Sequence, residues 1–145
     1  MLTQLETLVT EYAALAIELK RKVSALAAVL GNQEDVNHPC HMEFYGNVQA
    51  WADAFAKTCP DQQTLIQALE LLLLSAVRYE NTAAYWYLVA IHAHGKVLIP
   101  MLEAQGREQL AQAYGSAYPA NKHLPLQKEI YKMLGGKRKG WFSFL

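Results

Sequence analysis

Eight apolar residues, Leu5, Leu8, Tyr12, Leu15, Leu19, Val23, Leu26 and Leu30, recur at steps of three and four. That period draws one stripe along an α-helix about seven turns long, and a strand, with its period of two, cannot produce it. Thr3 followed by Glu6 has the pattern of a capping box at the helix start, and Gly31 is placed to close the helix. The stripe is narrow enough for a coiled coil. Inside a small globular chain, however, a single stretch of it is expected to pack on neighbouring helices of the same chain.

The remaining sequence continues in the same code. Pro39, pre-set near helical φ and lacking an N–H that a first turn leaves unused, predicts a second helix opening at Asn37 or His38. Phe44, Val48, Trp51, Ala52 and Phe55 are its expected buried stripe, and Cys59-Pro60 its stop. Asp61 reads as the N-cap of a third helix carrying Leu65, Ile66, Leu69, Leu72, Leu73 and Ala76. A tight connection at Asn81-Thr82 leads to a fourth, from Ala83 to Ile99, ended or kinked by Pro100. Beyond a short piece from Met101 to Gln105 and Gly106, a helix from Arg107 to Tyr114 and a loop from Gly115 to Pro119 are expected. A last basic helix runs from Pro125 to Leu134, closed by Gly135-Gly136. No Val/Ile/Thr-rich alternating run argues for a strand. The expected fold is therefore all-α: a single-domain antiparallel helical bundle of five to seven hairpin-connected helices, with the Leu65 to Ile99 hairpin at its centre. Residues 1–136 form the helical domain and 137–145 a basic and aromatic C-terminal tail.

Composition narrows what such a bundle can be. At 145 residues and 52% hydrophobic, the chain suffices for one self-supporting core. Its charge is balanced, 13 basic against 13 acidic, which excludes a polyelectrolyte. The balance conceals an asymmetry: residues 1–72 hold nine acids and four bases, a net of −5, and the remainder carries +5. The simplest reading is attraction between the two ends of one body; a basic surface for a partner is the sharper one. Two cysteines, Cys40 and Cys59, are too few for a disulfide scaffold and match no zinc-ribbon spacing, so a reducing, cytoplasmic setting is expected. Met1 to Ala13 lacks a basic n-region followed by an apolar run, so no signal peptide is expected. Leu65 to Val77 is too short and too interrupted to span a bilayer.

Few residues suggest chemistry. His38, Cys40, His41 and Glu43 lie within six positions, the densest group of metal-capable side chains. Three apart on a helix, His38 and His41 share a face, and a metal there would need further ligands such as His92, His94 or His123. His92 and His94, two apart, face nearly opposite sides of a helix. Cys40 at a helix N-terminus beside histidines also permits a thiol-dependent reading. Capping and packing are the simpler roles of these residues. No glycine-rich phosphate loop and no Glu-x-x-His pair occurs, so no cofactor and no catalytic residue is assigned.

Aromatic residues are the other candidates. Tyr85, Trp86 and Tyr87 are consecutive on one helix, so at least one of them should lie near a groove or the surface, with Tyr114, Tyr118 and Tyr131 nearby in sequence. In the tail, Lys137, Arg138 and Lys139 precede Trp141, Phe142 and Phe144. Such a tail folds back on its own body, docks on a partner or second subunit, or touches an anionic membrane surface. These features point to a non-enzymatic helical protein–protein interaction module of bacterial type: an adaptor, a client chaperone or a toxin-neutralising partner. Its expected partner is another protein, bound through Tyr85 to Tyr87 and the tail, and not nucleic acid; a homodimer is a further option. The competing readings are a metal- or thiol-dependent protein using His38, Cys40 and His41, and a peripheral membrane binder using the tail.

Overall fold

The computed structural model describes residues 1–30, 39–75, 82–119 and 125–136, with side chains described except at 16, 17, 19–30, 75 and 82–88. Among the described residues six α-helices follow one another: α1 (Leu2–Leu30), α2 (Pro39–Lys57), α3 (Gln62–Ser75), α4 (Thr82–Leu98), α5 (Ala104–Ala117) and α6 (Pro125–Met133), with a 3-10 turn at Ile99–Met101. No strand occurs among the described residues, and the chain is an all-α helical bundle.

Two contacts fix the register of α1 on α2. The Trp51 indole Nε1–H donates to the Met1 carbonyl (2.8 Å), and the Tyr12 hydroxyl lies 2.8 Å from His41 Nδ1. The stretch from Leu2 to Tyr12 of α1 thus runs antiparallel to that from His41 to Trp51 of α2. The same anchoring corrects the expected capping box. With the Met1 carbonyl held by Trp51, the helix begins at Leu2 and the Leu5 N–H returns to Met1 O (3.3 Å). Thr3 therefore sits inside the first turn, its carbonyl accepting the Thr7 hydroxyl (2.9 Å). The register also corrects the stripe: Leu5 and Tyr12 are buried, but Leu15 is 51% exposed. It lies three residues beyond Tyr12, whose partner His41 is in the first turn of α2. Gly31 and the segment 31–38 lie outside the described residues.

α2 buries Cys40, His41, Phe44, Val48, Trp51, Ala52 and Phe55, the expected stripe extended by one turn at its start. Tyr12 stacks on Phe44 with centroids 4.0 Å apart, and Trp51 on Phe55 at 4.7 Å. The helix closes as expected before Pro60, through Cys59 at φ 51 in the left-handed region. Asp61 then caps α3, its Oδ1 accepting the Thr64 N–H at 2.7 Å. That backbone bond, with a smaller side-chain contribution from Thr64, holds the exposed carboxyl below its ordinary range.

The centre of the bundle differs from the expected α3–α4 hairpin. Among the described residues α4 packs most broadly on α2, and α3 on α5. Ala52 on α2 and Ala90 on α4 are fully buried, and residues this small let packed helices approach closely. α5 differs as well. It is one helix from Ala104 to Ala117, passing through both glycines expected to interrupt it. A Cβ on Gly106 would lie 3.2 Å from Ile66 Cδ1, and one on Gly115 3.4 Å from the Tyr131 hydroxyl. Each glycine admits a neighbour, and that packing outweighs the roughly 1 kcal/mol that glycine costs a helix.

Gln62 ties the corner before α5. Its Nε2 donates to the Met101 carbonyl (3.0 Å), and its Oε1 accepts the Glu103 N–H (2.8 Å). One side-chain amide thus satisfies the carbonyl leaving the 3-10 turn and an N–H entering α5. Gln62→Leu is expected to cost about 1–3 kcal/mol in urea unfolding followed by circular dichroism, because both bonds go together. A cost below half a kcal/mol would show that water replaces the amide without penalty.

Candidate functional site

Among the described residues, a buried polar grouping is built where α1 meets the start of α2. His41 is 1% exposed; its Nδ1 is 2.8 Å from the Tyr12 hydroxyl and 3.9 Å from Cys40 Sγ. The Tyr12 and His41 rings meet edge to face, and Phe44 stacks behind Tyr12. The helical period explains the grouping: His41, Phe44 and Val48 follow one another on the buried face, and Cys40 flanks it. Nδ1 of His41 is thus engaged by the tyrosine hydroxyl and is not open to a metal. His38, the second expected ligand, lies outside the described residues, as does His123. No group of three His, Cys, Asp or Glu side chains able to hold a metal occurs among the described residues. Cys40 and Cys59 are free thiols, the first buried and the second exposed.

Around this buried contact the surface changes character. Leu15 and Met42 are 51% and 60% exposed, and each is within one helical turn of the Tyr12–His41 pair. Glu11 and Glu18, four residues before and three after Leu15, share its side of α1, and Glu43 adjoins Met42; all three are exposed. Two large apolar side chains are thus rimmed by carboxylates. Sequence periodicity assigned Leu15 to the core and singled out Met42 for nothing; only the register of α1 on α2 reveals them.

His92 and His94 diverge, as their spacing predicts. His92 Nε2 approaches Glu129 Oε2 of α6 at 3.5 Å, an ion pair only when the ring is protonated. His94 points into the core, 1% exposed, and neither ring nitrogen finds a partner among the described residues. Burial alone pulls its pKa down to about 3, so the ring is neutral at physiological pH.

The later aromatics separate into two sets. Tyr114, Tyr118 and Tyr131 do meet: Tyr114 lies 4.7 Å from Tyr118 and 6.3 Å from Tyr131, centroid to centroid, between α5 and α6. The Tyr118 hydroxyl donates to the Leu73 carbonyl of α3 (3.0 Å), and burial pushes its pKa up to about 12. These tyrosines serve packing. The side chains of Tyr85, Trp86 and Tyr87 lie outside the described residues, as do Lys137, Arg138, Lys139, Trp141, Phe142 and Phe144. The chain matches no family model, no curated protein and no solved structure. No helix among the described residues is long and apolar enough to cross a membrane.

Proposed function

We propose that this chain is a non-enzymatic helical module that binds another protein, with Leu15 and Met42 as the apolar centre of its contact surface. The carrying observation is the exposure of these two side chains at the edge of the α1–α2 contact. Isolated exposed apolar residues need no explanation, but a pair placed beside one buried contact and rimmed by acids has the make-up of an interface. Methionine suits the role because its unbranched, polarisable side chain adapts to what it meets. Beneath the surface, stacked Tyr12 and Phe44 and the Tyr12–His41 bond supply a rigid base. Glu11 and Glu43 define the partner's chemistry: apolar side chains flanked by lysine or arginine. The cytoplasm is the proposed compartment, supported by two free thiols of which Cys59 is exposed.

A photo-crosslinking amino acid placed at position 42 or 15 in the source cell tests this reading, with exposed Gln63 on α3 as the control position. One discrete adduct with a second protein is expected at 42 and 15 and not at 63. With that protein purified, Met42→Lys is expected to weaken binding about tenfold, or about 1.4 kcal/mol. Absence of an adduct at both positions, or equal labelling at position 63, would overturn the proposal.

A further inference from the structure

α3 and α5 lie side by side and run in the same direction. Gln62 bonds to Met101 and Glu103 where both helices start, Ile66 packs on Gly106 one turn further along, and the Tyr118 hydroxyl reaches the Leu73 carbonyl at their far ends. Between them runs a groove of about 440 Å³, with Ile66 and Gly106 in its lining. Gln63 and Gln67 on α3, like Gln105 and Gln109 on α5, stand four residues apart, so each pair shares a helix face, and all four exposed amides line the groove. Two carboxylates complete it. Glu103 stands at the end where Gln62 holds its backbone N–H, and Glu70 is eight residues beyond Gln62 on α3, a rise of about 12 Å. Among the described residues no Lys, Arg or His lines the groove.

We propose that this groove binds a linear aliphatic polyamine, laid along the two helices with an ammonium group at each carboxylate. Charge selects a cation, because the charged side chains of the lining are both acidic. Spacing selects its shape. A single metal ion would need both carboxylates within about 2.6 Å of itself, which a rise of about 12 Å forbids, whereas a rod with a charge at each end meets both. The amides suit the stretch between them. A protonated amine has donors and no acceptor, and each glutamine can turn its carbonyl oxygen inward to accept from it. Half-buried Ile66 gives the methylene groups an apolar surface to lie on. The volume is at the lower end of small-ligand pockets, which fits one narrow chain. This site is independent of the partner surface at Leu15 and Met42, which lies on other helices.

Titration of the full isotope-labelled chain with spermidine, at constant ionic strength and followed by NMR, tests it. Expected are saturable shifts of the side-chain amide signals of Gln63, Gln67, Gln105 and Gln109 and of the Gly106 N–H. Trimethylenediamine, whose ammonium groups stand only three carbons apart, cannot reach both carboxylates and should bind at least about fivefold more weakly. Glu70→Gln and Glu103→Gln should each weaken spermidine binding about fivefold, the worth of one exposed charge pair. Glu108→Gln, an exposed acid outside the groove, should leave it unchanged. Neither groove variant touches the Gln62 bonds, since Glu103 contributes only its backbone N–H to them. Absence of saturable shifts at millimolar spermidine overturns the proposal. So do equal shifts around Glu11 and Glu43 on the other helices, unchanged affinity in both groove variants, or binding of trimethylenediamine or magnesium ion as tight as that of spermidine.

Discussion

Phe44→Ala is expected to destabilise the chain by about 3–5 kcal/mol, measured by urea unfolding. The ring is 4% exposed and stacks on Tyr12 at 4.0 Å, so truncation removes a buried aromatic and leaves a cavity between α1 and α2. The loss should reach beyond stability. Tyr12 is the side chain through which α1 meets His41, and Leu15 and Met42 take their positions from that meeting. Partner affinity is therefore expected to fall in Phe44→Ala even at temperatures where the variant remains folded. Phe44→Leu, which refills part of the space, should cost distinctly less in both respects. Equal stability of the alanine variant and the parent would mean that α1 does not depend on α2 for its placement.

His94→Leu is expected to act in the opposite direction. It replaces a buried imidazole, whose nitrogens find no partner among the described residues, with an apolar side chain, and should stabilise the chain at neutral pH by about 1–3 kcal/mol. The acid dependence should change too. In the unfolded chain the ring takes up a proton below about pH 6.5, whereas in the folded chain it does so only near about 3. Stability is therefore lost as pH falls through that window, at about 1.4 kcal/mol per pH unit well below 6.5, and this residue contributes no slope above it. Unfolding free energies at pH 7 and pH 5 should differ by about 2 kcal/mol more in the parent than in His94→Leu. Identical pH dependence in both proteins would show that folded His94 is protonated as readily as unfolded.

What the sequence disclosed was governed by period. The stripe Phe44, Val48, Trp51, Ala52 and Phe55 is legible because an amphipathic helix has one way to bury it, and the Asp61 cap because a short side chain beside three free N–H groups has few other uses. Where tertiary contacts override local preference, the reading failed. Gly106 and Gly115 are weak helix formers in isolation, yet α5 runs through them because Ile66 and the Tyr131 ring occupy the space that their missing side chains leave. Thr3 and Glu6 had the right spacing for a cap, but the Trp51 indole fixed the carbonyl two residues earlier. The candidate contact surface was the least legible part. Leu15 obeys the core period yet is 51% exposed, because burial is set by how helices meet and no single helix encodes that. The histidine spacing was informative in a negative sense, since residues two apart do diverge, His92 toward Glu129 and His94 into the core.

The amide of Gln62 spans 39 positions to Met101 and 41 to Glu103. The corner ahead of α5 is thus latched by a residue far back in the chain as well as by the local bond from the Leu102 N–H to the Ile99 carbonyl (3.0 Å). Such a joint imposes a sequence of events on assembly. The corner is not fully locked until α3 is in position, because Gln62 supplies both of these side-chain bonds. The start of α5 should therefore acquire slow hydrogen exchange during refolding no earlier than α3.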